Sequence, residues 1–462
     1  MTLPNPSVRL LLIAAALSFL PMLNLYYIGE EAIFPISSME MAQHGAWLKQ
    51  YLYGLDVQHN PLFNWLIILL ADLAGWANVL LVARGLTIAA TLGTTAVLAW
   101  LAWRLFCDRR LAAFTALVHL TFSDVMMYHG WLAYVDPLFG FFVFSAIALL
   151  WAACAGSRPG LLWLAAVVLT CALLSKAFTA YVFYGATLFV LLFNRDYRRL
   201  LLGIPSLAAH AAMLLAPLLW FAIIPSGQNQ SIRMFEEILA KLAFPGAGEY
   251  LARLLLYPLE ALAGLLPASA LAIYFVLRRR VAFDTNEPRH FRTALLIAGL
   301  NFLPYWLSPH GGMRYLIPIY PLFALICAWL IWQAGESALR ATRRWLATAI
   351  WFCFALGLFV FPYYQHKFRG ENYALAAADI VAIVGAQPLY VTDSSAPGLN
   401  VTAYINQQRY PQQALQYPPV QWEHGFVLAR SADPQLGKVS RKYQLLGDEL
   451  YLLCRGAACA QP

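Results

Sequence analysis

Apolar runs, more than any motif, limit what this chain can fold into. Leu10 to Ile28 carry no charged side chain and are long enough to cross a hydrocarbon core of about 30 Å. Comparable runs recur at about eleven places: 10–28, 78–103, 111–127, 137–155, 161–175, 177–193, 200–224, 254–277, 293–308, 315–333 and 345–362. With 61% hydrophobic and only 12% charged residues, the chain lies outside the range of soluble domains and reads as a polytopic membrane protein. The first run lacks a convincing small-residue cleavage site, so it is expected to stay as the first helix. Pro61 to Leu73 is apolar but brief, which suits a helix lying in the interface.

Arginines give the orientation. Arg9, then Arg104, Arg109 and Arg110, then Arg158, then Arg195, Arg198 and Arg199, then Arg278–Arg280 with Arg289 and Arg292, then Arg340, Arg343 and Arg344 fall on alternate loops. Those loops are expected to be cytoplasmic, and the loops carrying Glu30, Glu31, His59 and Asp136 are expected to face outward. The net charge of +8 is therefore a topology signal and gives no reason to infer nucleic-acid binding.

Beyond Tyr363 the composition turns polar, with Gln, Asp and turn residues. The expected division is a membrane domain over 1–362, with a first outer loop at 29–77, and an outside α/β domain over 363–462. In that domain Glu371–Val384 reads as a helix. Pro388–Val391, Gly425–Ala429 and the stretch Tyr443–Cys454 around Gly447-Asp448 read as strands. Five cysteines (Cys107, Cys154, Cys171, Cys327 and Cys353) lie in or near spans and suit packing. Cys454 and Cys459 lie in the outside domain, where a disulfide between them is possible in an oxidising compartment.

Acids at a membrane border are costly and usually functional. Glu30 and Glu31 follow the first span, and Asp136 opens another; the plain alternative for each is a helix-end charge. Lys176 stands between two short apolar runs, and Arg314 follows His310-Gly311-Gly312. For both, snorkelling at the interface is the plain reading. The outer loop from Pro225 to Arg253, with Arg233, is long, polar and glycine-bearing. It reads equally as a mobile cover over a cleft and as an amphipathic connection.

An ordered set of segments carries a resemblance. Gly29-Glu30-Glu31-Ala32, Ser38-Met39-Glu40-Met41 with Gly45 and Trp47, and His59-Asn60-Pro61-Leu62-Phe63 come first. Tyr134-Val135-Asp136-Pro137-Leu138, Leu174-Ser175-Lys176-Ala177-Phe178 and Arg314-Tyr315-Leu316-Ile317-Pro318-Ile319-Tyr320-Pro321 follow. Over residues 10 to 335 the chain resembles membrane glycosyltransferases of the GT-C class. It is similar to the dolichyl-phosphate-mannose mannosyltransferase superfamily and its bacterial branch containing the lipid A aminoarabinose transferase.

The resemblance implies a mainly α bundle of GT-C type with a small extracytoplasmic α/β domain, in a bacterial inner membrane, with site and tail facing the periplasm. It implies hexosyl or pentosyl transfer from a polyprenyl-phosphate sugar to a lipid A, other glycan or protein acceptor. Glu30 stands where the family has its catalytic aspartate, and the extra methylene could shift that role to Glu31. Asp136 matches the second acidic position. Lys176, Arg314, Tyr315 and Arg233 are expected to bind substrate.

His59 replaces the lysine of the aminoarabinose branch. It suits phosphate when protonated, or a divalent ion shared with Glu30, Glu31 or His129, or a plain backbone bond at the interface. A secondary transporter would also have many spans, but usually with repeated halves or glycine-broken helices, and neither is visible here. A non-catalytic lipid-binding protein is the third reading.

Overall fold

The computed structural model describes residues 6–57, 60–224, 236, 246–278, 289–367, 372–445 and 447–460. Each of the eleven apolar runs is mainly helical, as lipid requires of a backbone that has no water to bond. Among the described residues six helices are long and apolar enough to cross a membrane. They are Pro6–Asn24, Trp76–Phe106, Asp136–Gly156, Ile204–Ile223, Met313–Gln333 and Glu336–Gln365.

The run at 254–277 is not one straight span. It forms Ala247–Gly264 and Ala268–Leu277, bent by 105° at Pro267, which has no N–H to continue the first helix. The other four runs rest on shorter or more basic helices: Arg109–Leu120, Gly160–Ser175, Thr179–Leu192 and Arg289–Leu307.

The chain forms two compact units. One comprises 1–20, 87–131 and 135–354. At its centre is Asp136–Gly156, most of whose residues are buried and which packs on Gly160–Ser175, Thr179–Leu192 and the Met313–Ile319 turn. Ile204–Ile223 buries few of its residues and turns Leu207, Leu214, Leu218 and Ile223 outward, as a lipid-facing helix does.

The other unit comprises 21–86, 132–134 and 355–462. Its sheet has the order β3-β4-β6-β5, from Leu389–Val391 (β3), Gly425–Ala429 (β4), Lys438–Leu445 (β5) and Asp448–Arg455 (β6). The β3/β4 pair is parallel and the other pairs are antiparallel. These are the expected strands, and Tyr373–Val384 is the expected helix. Cys454 and Cys459 are disulfide-bonded, with Cα atoms 5.2 Å apart.

Three elements were not legible in sequence: the helix Ile33–His44, the hairpin of Gln50–Leu52 (β1) and Leu55–Val57 (β2), and the helix Ala396–Arg409. The hairpin turns through Tyr53 and Gly54, both at positive φ, as such tight turns require. Polarity suggests a boundary at 362/363, whereas packing joins the first loop to the tail. Tyr27, Ala32, Ile36 and Tyr53 share one apolar core with Ile380, Val391, Leu399, Phe426 and Leu452.

Candidate active site

The adjacent glutamates have opposite environments. Glu31 is fully buried. Its Oε1 accepts from Ala133 N at 2.7 Å and Arg84 Nε at 2.9 Å, and its Oε2 from Ile28 N at 2.8 Å and Arg84 Nη2 at 2.6 Å. Arg84, also fully buried, donates further to the carbonyls of Met22, Leu25 and Tyr26. A buried pair is sustained only when its remaining hydrogen-bonding capacity is also satisfied, and this one meets that condition. Glu31 is thereby committed to holding residues 28, 84 and 133 together.

Glu30 is exposed. Its backbone N–H donates to the Tyr134 hydroxyl at 3.2 Å, and among the described residues no donor is found for its carboxylate. A carboxylate in that state is available as a proton acceptor.

The first unit gathers four of the expected residues. Asp136 opens its helix with Pro137 behind it and is buried, where it accepts from the Lys176 ammonium. Lys176 ends the Gly160–Ser175 helix, and its Nζ lies 5.9 Å from the Phe139 ring and 5.1 Å from the Tyr315 ring. The lysine is thus paired and capped by aromatic faces. The Arg314 guanidinium lies 5.3 Å from the same Tyr315 ring and remains exposed. Tyr315 stacks on Tyr305, which stacks on Phe183, so the ring shared by the two cations is itself packed.

Gly140 makes this grouping sterically feasible. A Cβ there would come within 2.8 Å of Ile317 Cγ2, so the Met313–Ile319 turn approaches the Asp136 helix only because this position carries no side chain.

His59 and Arg233 lie outside the described residues, as does most of the Pro225–Arg253 loop. The His129 Nδ1 sits 2.8 and 2.9 Å from the two Asp124 oxygens, and the Tyr320 hydroxyl donates to Asp124 at 2.8 Å. Among the described residues no group of three or more His, Cys, Asp or Glu side chains could hold a metal ion. Glu31, saturated by its four donors, is not open to the divalent ion expected at His59, which itself lies outside the described residues.

Sequence reading passed over Arg84 and gave Glu40 no role of its own. Arg84 had a usable signal, being a lone charge near the start of an apolar run, which calls for a named counter-charge. Glu40 is buried, and its Oε1 and Oε2 accept from Tyr53 N at 2.7 Å and Gly54 N at 2.8 Å, closing the hairpin turn onto the Ile33–His44 helix. Burial pushes its carboxyl up to about 7, against the opposing pull of the two backbone donors.

Residues 252–415 match the model of a family described as the Alg9-like mannosyltransferase family. The structure is similar to that of ArnT from Cupriavidus metallidurans bound to undecaprenyl phosphate, with TM-score 0.69 and 17% identity over 99% of this chain and 98% of that one. The apo form of the same protein gives TM-score 0.68 and 16% identity over 98% and 99% of the two chains. The Archaeoglobus fulgidus oligosaccharyltransferase in complex with Zn and sulfate gives 0.53 and 12% identity, over 89% of this chain and 62% of that one. The resemblance to GT-C membrane glycosyltransferases read from the motifs therefore holds in the fold, over nearly the whole chain.

Proposed function

We propose that this protein is an integral-membrane glycosyltransferase that moves a sugar from a polyprenyl-phosphate donor to an envelope acceptor at the periplasmic face of a bacterial inner membrane. The observation that carries this reading is the likeness, end to end, to an ArnT whose structure holds undecaprenyl phosphate. The family match over 252–415 supports the same reaction class, and the alternating arginines support the orientation. Lipid A, another glycan or a protein would each present the hydroxyl that the reaction needs, and the sugar is a hexose or a pentose.

In this reading Glu30 takes the proton from the acceptor hydroxyl as its oxygen attacks the anomeric carbon. The anomeric carbon–oxygen bond breaks, and its electron pair leaves with the polyprenyl phosphate. The departing oxyanion needs positive charge held in place before it forms. Lys176 and Arg314, 5.1 and 5.3 Å from the Tyr315 ring, supply that charge, and the Arg314 fork suits two phosphate oxygens at once. Asp136 fixes the direction of Lys176.

The test is transfer by purified protein in vesicles, using several undecaprenyl-phosphate sugars and an envelope lipid extract. Glu30→Gln keeps the shape and loses the proton acceptor, so turnover should fall about 10²- to 10⁴-fold with donor binding retained. Glu31→Gln should instead lower the unfolding temperature, because Arg84 is left without a full counter-charge at a cost of about 3 kcal/mol. Wild-type transfer by Glu30→Gln would sink the assignment. A stable Glu31→Gln protein without turnover would move the base to Glu31.

A further inference from the structure

The peptide unit entering Glu30 is tied at both ends. Its N–H, on Glu30, donates to the Tyr134 hydroxyl, and its carbonyl, on Gly29, accepts from Asn400 Nδ2 at 3.0 Å. The planar peptide moves as one body, so two such ties fix the rotation of the plane and with it the exit direction of the Glu30 side chain. Without them little would resist a flip, because Gly29 sits at φ +60, a region that glycine enters and leaves freely.

Asn400 comes from Ala396–Arg409, a helix that sequence reading missed. The same helix meets the preceding residues twice more. Tyr404 packs edge-on to Tyr27 at 5.0 Å, and Gln407 Nε2 donates to the Tyr27 hydroxyl at 2.7 Å. Positions 400, 404 and 407 share one helix face, so a single face grips Tyr27 and Gly29.

A purely packing role does not account for Asn400. It is fully buried, and its Oδ1 has no hydrogen-bond partner among the described residues. A buried orphan acceptor is costly, and an apolar side chain would avoid that cost but could not donate to Gly29.

We propose that Asn400 is a positioning residue for Glu30 and that the C-terminal helix bearing it belongs to the catalytic apparatus. The inference rests on the reading of Glu30 as the base. It predicts that removing the amide loosens Glu30 and lowers turnover without weakening donor binding.

Two measurements on the full chain test it. In a Cys107→Ser background, a nitroxide at Glu30→Cys should gain mobility when Asn400→Ala is added, and one at Lys438→Cys should not. Asn406→Ala serves as control: the same helix loses a buried amide, but one whose oxygen serves Leu415 N, so it should lower the unfolding temperature and leave the Glu30 label unchanged. If Asn400→Ala does not fold, Gln407→Ala, which loosens the grip through Tyr27, should mobilise the label in the same direction. An immobile Glu30 label in a folded variant overturns the proposal.

With the undecaprenyl-phosphate sugar that supports transfer, Asn400→Ala should reduce kcat about 10- to 100-fold at unchanged donor KM. In the Glu30→Gln background it should cost nothing more. An equal further loss in that background would mean that Asn400 acts elsewhere. If no sugar is transferred by the unsubstituted protein, the glycosyl-transfer reading fails while the label experiment still decides whether Asn400 positions Glu30.

Discussion

At the scale of single residues, burial separates side chains that sequence treats as alike. Glu30 and Glu31 are neighbours of identical chemistry, yet one is saturated by four donors and the other is exposed. Glu40 gives a case readable by pH. Its carboxyl is raised from the usual range to about 7, chiefly by burial, so the folded protein holds that proton more tightly than the unfolded chain does. Its contribution to stability is therefore full below the ordinary carboxylate pKa and is lost as pH rises through about 7. Unfolding measured at pH 5 and pH 8 should show a larger drop for the unsubstituted protein than for Glu40→Gln, which does not titrate. Equal drops would mean that Glu40 is not the group responsible.

At the scale of elements, a close helix approach carries the cation pair. The Met313–Ile319 turn lies against Gly140, where an added Cβ would sit 2.8 Å from Ile317 Cγ2. Gly140→Val should push that turn away and displace Arg314 and Tyr315 with it. Binding of undecaprenyl phosphate should weaken about tenfold or more, with the protein still folded, and Ile317→Ala added to it should restore part of the loss. Unchanged binding in Gly140→Val would show that the turn does not hold the lipid phosphate. The bend at Pro267 is also an element-scale event. Hydropathy saw one run at 254–277, and the missing proline N–H divides it.

At the scale of the whole molecule, the arginine pattern makes a sided prediction. Val420 is fully exposed in the tail and Arg278 is exposed at the end of its helix. In intact cells with a permeabilised outer membrane, Val420→Cys should react with an impermeant thiol reagent, and Arg278→Cys should react only after lysis. Labelling of both before lysis would refute the orientation, and with it the periplasmic placement of the reaction.

Membrane class, the helical character of every apolar run, the tail strands and the acids at span ends were all determined by the sequence itself. Each follows from local composition, which decides what a segment can bury and where its backbone polar groups bond. Asp136 and Lys176 were singled out separately for the same local reason, that charge at a membrane border is costly. Only the tertiary structure decided their pairing, the capture of Glu31 by Arg84 and the grip of Asn400 on Gly29. The last contact joins residues 371 positions apart. Sequence pattern extends over a turn or two of helix, whereas the burial and hydrogen bonding of a side chain depend on whichever distant segment folds against it, and that dependence decides which of two adjacent carboxylates is left free.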